Sequence, residues 1–188
     1  AGGLIGVNNG TLTQSYAVNT VSANDTAGGL VGTNTDTGVI TNTYATGAVT
    51  GNTSNVGGLV GINYGQISYV HSTNSQVKSN SGENVGGLVG LNGYGGSISD
   101  AYADSPVNGS TGVGGLVGQN QSSVNNAYAT GAVSGSTYLG GLVGTNAGGD
   151  ISNAYSLSAV RGSSKLGGLA GSNSGNIINS YAAGVVVG

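Results

Sequence analysis

Cysteine, methionine, tryptophan and phenylalanine are all absent from the 188 residues, and proline occurs once, at Pro106. Without Cys there can be no disulfide and no thiolate metal site. Without Phe, Trp or Met, a core has to be assembled from Val, Leu, Ile, Ala and Tyr, which suits a repetitive scaffold better than a compact α/β enzyme. Charge is equally scarce: six acidic and three basic residues give a formal net charge of −3. There is no Lys/Arg cluster to meet phosphates, so nucleic acid is excluded as a partner. No apolar run reaches the roughly 18 residues that span a bilayer, and no charged-then-apolar leader is present, so no membrane insertion is expected of this segment. The chain reads as soluble, and the missing initiator Met as a sign of processing or excision.

What is abundant is glycine, 40 residues of it. There is no Gly-X-Y triplet, and Val, Ile and Leu recur in short clusters, so neither collagen nor a disordered linker fits. The glycines mark a repeat. Gly-Gly-Leu occurs seven times, with its Leu at 4, 30, 59, 88, 116, 142 and 169, at spacings of 26 to 29 residues. Two positions after each Leu stands a Gly, and four after it an Asn: Asn8, Asn34, Asn63, Asn92, Asn120, Asn146 and Asn173. An aliphatic residue follows (Leu12, Ile40, Ile67, Ile98, Val124, Ile151, Ile177), and four residues later an aromatic one. The aromatic column is Tyr16, Tyr44, Tyr102, Tyr128, Tyr155 and Tyr181, with His71 in the third unit. A last cluster holds Val21, Val49, Val77, Val107, Val133, Val160 and Val186.

Each unit thus carries three short, β-branched segments separated by Asn, Ser, Thr and Gly, and no 3.6-residue stripe. A unit of about 27 residues cannot bury both its faces, but stacking at about 4.8 Å lets each strand pair with its copies above and below. The expected fold is all-β: a parallel β-solenoid of seven rungs with three short strands each, forming a single domain. Its units are residues 1–26, 27–55, 56–84, 85–112, 113–138, 139–165 and 166–188. Length variation, at Asn80 to Asn84 and Gly93 to Gly96, falls between segments, where a solenoid has corners. Recurrent Gly suits positive φ or close approach of rungs. Recurrent Asn suits an internal ladder of side-chain amides. Asp25, Asp36, Glu83, Asp150 and Lys165 are placed in the connections.

Units such as Val56-Gly57-Gly58-Leu59-Val60-Gly61-Ile62-Asn63 and Asn126-Ala127-Tyr128-Ala129-Thr130-Gly131-Ala132-Val133-Ser134-Gly135 resemble the GLUG repeat, over essentially the whole chain. The family occurs in large bacterial surface and secreted proteins. The resemblance implies a right-handed solenoid at the bacterial cell surface or outside the cell. It points to the context of filamentous-haemagglutinin-like adhesins and of the non-catalytic regions of IgA-cleaving metallopeptidases. Ala170 departs from the usual Val after Leu, and His71 from the Tyr column.

No catalytic constellation emerges. His71 is the only His, so a His-Glu-x-x-His zinc site cannot be built, and it is read as a ring filling the Tyr column. Asp100 and Asp104 are read as solvated acids rather than a glycosidase pair or a calcium site. Gly-Gly-Leu-Val-Gly lacks the Gly-Lys-Ser/Thr of a phosphate cradle. Asn-x-Ser/Thr sequons and a broken Thr13, Thr41, Ser68, Ser99 array are chance in so Asn-, Ser- and Thr-rich a chain. No metal and no cofactor are expected.

The Tyr column has two readings: a semi-buried structural ladder, or an exposed strip on which sugar rings stack. Alternation puts Asp100 and Tyr102 on one face, which the acid draws outward, yet Ile98 shares that parity and belongs inside, so the column faces out only if a corner intervenes. The function expected is a non-enzymatic structural or adhesive rod. The expected partners are host-surface or matrix glycans and proteins. End-to-end stacking into a filament and a glycan-processing β-helix are the alternatives.

Overall fold

The computed structural model describes all residues, 1–188, as a parallel β-solenoid of seven rungs with no helix. The three segments of each unit become four stacked sheets, because the Gly-Gly-Leu segment breaks into two strands on different faces. The Asn sheet has seven strands, from Ile5–Asn8 through Val31–Asn34, Val60–Asn63, Val89–Asn92, Val117–Asn120 and Val143–Asn146 to Ala170–Asn173. The Gly-Gly sheet comprises Ala27–Gly28, Val56–Gly57, Glu83–Gly86, Thr111–Gly114, Thr137–Gly140 and Ser164–Gly167. The Tyr sheet holds unbroken strands in the middle rungs, Gln66–Ser72, Ser97–Ala103 and Ser123–Ala129, and pairs of shorter ones elsewhere. The Val sheet runs from Val21–Ala23 to Val186–Val187.

Register is kept along the rod: Ile67 pairs with Ile40 and Ile98, Asn63 with Asn34 and Asn92, Val77 with Val49 and Val107. Two cores result. The larger lies between the Asn and Tyr sheets, where Leu30, Leu59, Leu88, Leu116 and Leu142 meet Ile40, Ile67, Ile98, Val124 and Ile151. The smaller lies between the Val and Gly-Gly sheets, where Val49, Val77, Val107 and Val133 meet Val56, Val85, Val113 and Leu139. Each of these side chains is fully buried, which stabilises by about 1.5–3 kcal/mol apiece. Leu4, Ile177 and Val186 hold the same places in the first and last rungs but are exposed, having a neighbour on one side only.

The two glycines of Gly-Gly-Leu answer to space rather than to φ. A Cβ on Gly57 would overlap the carbonyl oxygen of Val60, and one on Gly58 that of Gly87 in the next rung; Gly86 and Gly87 face Val89 and Gly115 in the same way. Only Gly95, Gly112 and Gly148 have positive φ. Left-handed backbone is instead carried mainly by side-chain-bearing residues in two columns. One is Gln14, Asn42, Tyr69, Asp100, Asn126, Asn153 and Asn179, with φ of 49 to 55°; the other includes Asn55, Asn84, Tyr138 and Lys165. Asn and Asp tolerate this region better than other residues with a Cβ. The length variation at 93–96 sits in a turn as expected, whereas that at 80–84 starts in the bend at Asn80 and Ser81 and runs into the strand Glu83–Gly86. Asp25 and Asp36 lie in connections, whereas Glu83, Asp150 and Lys165 lie within strands, because the strands there begin earlier than the apolar pattern does.

Candidate functional site

The Asn residues form the internal ladder that their recurrence suggests. Nδ2 of Asn8 donates to Oδ1 of Asn34 at 2.8 Å, and the pattern repeats through Asn63, Asn92, Asn120 and Asn146 to Asn173 at 2.7 to 2.9 Å. The second amide proton goes to a backbone carbonyl at the following corner, such as Gly38, Gly65 or Gly149. Asn34 through Asn146 are wholly buried, so every rung repeats a closed pattern in which neither amide atom is left without a partner. All six side-chain bonds run the same way, from each rung to the next towards the C-terminus.

On the Tyr sheet the left-handed column supplies a corner between Ile98 and Tyr102, which decides between the two readings of parity. Ile98 points inward, Asp100 turns the chain at φ 50°, and Ala101 and Ala103 then point inward with Tyr102 outward between them. The rings of Tyr16, Tyr44, His71, Tyr102, Tyr128, Tyr155 and Tyr181 are brought into one continuous stack. Neighbouring centroids are 4.9 to 5.2 Å apart and planes within 6° of parallel. The five interior rings are half-buried. Their faces are turned to one another, so they cannot also receive a sugar ring; what they offer outward is a row of edges.

Burial between Tyr44 and Tyr102 lowers the pKa of His71 by penalising the charged ring. Burial, with the neighbouring Tyr102 and Tyr155 and with Asp104, raises that of Tyr128. Asp100 and Asp104 are each engaged by the rung above. Asp100 Oδ1 accepts from Asn126 Nδ2 at 2.5 Å and Asp104 Oδ1 from Thr130 Oγ1 at 2.7 Å. No group of three or more His, Asp or Glu converges in a way that could hold a metal ion, and no pocket opens in the surface.

Against this background the family comparison is specific. The model of the GLUG motif matches residues 23–50, 52–78, 81–108, 109–134 and 135–161. The chain belongs to the GLUG family. Each GLUG match spans close to one rung, and the five together cover well over half of the chain. Searches of curated proteins and of solved structures gave no match. The GLUG repeats and the solenoid they build are those of a structural repeat region.

Recurrence, which exposed both ladders, also hid something: four tyrosines lie outside the stack. Tyr138 is held by Lys165, whose Nζ donates to its hydroxyl at 2.5 Å and sits 4.2 Å from the ring centroid. Tyr64, Tyr69 and Tyr94 have no aromatic partner and are 39, 62 and 73% exposed. The signal for them was their failure to recur: each stands where most other rungs have a polar or small residue.

Proposed function

We propose that this chain is a rigid, non-catalytic rod in an extracellular or cell-surface bacterial protein, which spaces and displays an adhesive surface. The observation that carries this reading is the continuity of its columns. A buried amide ladder, an aromatic stack and two apolar cores all run the length of the rod in one register. Such a rod resists bending because displacing one rung breaks all four columns together. The family's presence in large bacterial surface and secreted proteins supports the location. Host-surface or matrix glycans and proteins are the partners this reading assigns.

The test is to lengthen the rod. A tandem copy of residues 113–138 inserted after residue 138 should extend the particle by about 4.8 Å along one axis, measured by small-angle scattering. It should also raise the unfolding midpoint, since one more interior rung adds its own neighbour contacts. An unchanged or compact particle would refute the rod, and turnover of a polysaccharide by the purified chain would refute the non-catalytic reading.

A second reading, end-to-end association, is favoured by the direction of the amide ladder. Because every bond runs from one rung to the next towards the C-terminus, a further rung from another molecule can dock only head to tail. Light scattering across concentration tests it: growth in mass without lateral thickening supports association, and a constant monomer mass rejects it.

A further inference from the structure

Rungs three and four differ from their neighbours at outward positions. On the Asn sheet the outward residue before the ladder Asn is Thr33, Gln119, Thr145 or Ser172 in four rungs and Val7 in the first, while Ile62 and Leu91 hold it here as register partners. At the corner that follows, Tyr64 takes the place held by Thr35, Gln121, Ala147 and Ser174. Its ring lies against the backbone of Gly93, where a Cβ would strike it, and Tyr94 stands beside it in the turn at 93–96. Further along the same rung Tyr69 occupies the left-handed column at φ 55°, a place that the other rungs give to Asn, Asp or Gln. A bulky residue at positive φ is strained, and strain that the fold does not require is a pointer to function. The other interior rungs stack equally well with small or polar residues at these places, so stacking does not call for the aromatics.

We propose that Tyr64, Tyr69 and Tyr94 are a docking platform for a neutral polysaccharide. Unlike the rings in the column, these three have no aromatic neighbour on either face, so they can stack on pyranose rings. Gln66 and Ser68 on the Tyr sheet, with Asn42 in the bend one rung below Tyr69, supply amides and a hydroxyl for sugar hydroxyls. The charges on these rungs select against anions. Asp100 adjoins Tyr69 in its column, Asp36 lies at the corner one rung below Tyr64, and neither Lys nor Arg stands on this face. A surface without a pocket suits a repeating chain held by several weak contacts rather than one enclosed molecule. The inference deepens the adhesive part of the function above and rests on it, but does not depend on the length or stiffness of the rod.

The experiment is affinity electrophoresis of the whole chain in gels containing dissolved hydroxyethyl cellulose, xylan, mannan, galactan or dextran, with hyaluronan and heparin as anionic probes. At least one neutral polymer should slow the chain, and neither anionic one should. Replacing both Tyr64 and Tyr94 by Ser should weaken binding by about tenfold or more. The matched pair Gln119→Ser and Gln121→Ser in rung five should leave it unchanged. Tyr69→Asn should weaken binding while raising the melting temperature, which separates loss of the platform from loss of the fold. No retardation by any neutral polymer would overturn the proposal, as would equal loss in both Ser pairs. A dimer that disappears with Tyr64→Ser and Tyr94→Ser would overturn it too, by assigning the patch to a second copy. The scattering measurement on the lengthened rod reports on the rod separately.

Discussion

Two ladders run along the same rod and obey different rules. The amide ladder is the same residue in all seven rungs, buried in the first six, and hydrogen-bonded at 2.7 to 2.9 Å. The aromatic ladder keeps its geometry but accepts His71 among six tyrosines, with ring spacing unchanged at 4.9 to 5.1 Å. The difference follows from where each sits. A buried amide that loses its neighbour leaves a donor or acceptor that water cannot reach, whereas a half-exposed ring needs only a flat neighbour of similar thickness. Identity is fixed by unsatisfied polarity, and similarity is enough where solvent can compensate.

The largest effect should come from breaking both ladders at once. Gly87→Ala places a Cβ against the carbonyl oxygen of Gly115 and near Ala103, forcing rungs four and five apart, and should cost about 3 kcal/mol or more in denaturant unfolding. Breaking the amide ladder alone is next. Asn92→Leu strands one amide proton of Asn63 and leaves the oxygen of Asn120 with only the long bond from Ser122 N, and a loss of about 2–3 kcal/mol is expected. The aromatic ladder should prove more forgiving: Tyr128→Ser removes contacts with Tyr102 and Tyr155 at a cost of about 1–2 kcal/mol. If Asn92→Leu and Tyr128→Ser cost the same, burial is not what distinguishes the ladders.

A change in the opposite direction sharpens the point. Thr43 Oγ1 is buried without a partner, in a column that has Val70, Ala101, Ala127 and Ala154 in the following rungs. Thr43→Val should therefore stabilise by about 1 kcal/mol, visible as a raised unfolding midpoint. The smallest effect is that of pH on His71. Its folded pKa is lowered by burial, so the folded state binds fewer protons than the unfolded one around the ordinary imidazole value of about 6.5. That contribution is fully present above this value and is lost as pH falls below it. His71→Tyr should abolish this part of the acid sensitivity, read from unfolding midpoints at a series of pH values.

Much of the architecture was legible because a solenoid writes its contacts as repeats. Residues that touch in space, such as Asn63 and Asn92, occupy equivalent places in adjacent units. The division of the Gly-Gly-Leu segment into two strands was not legible, since it depends on how closely Gly57 approaches Val60. Nor was the division of labour between glycine and asparagine, although Gln14, Asn42, Asp100, Asn126, Asn153 and Asn179 at one offset already spelled a left-handed column. Repetition reveals what every rung must do. What one rung does alone, as with Tyr64 and Tyr69, stands out only once the shared requirements have been subtracted.

Each interior rung finds its partners only in the rungs directly above and below, and its irregularities are confined to corners. Hence a stretch of 26 to 29 codons is a complete unit of inheritance. Duplicating or deleting it in frame moves the ends without disturbing any remaining contact pattern. Such a gene can change the reach of its product in single steps while an individual rung is left free to diverge.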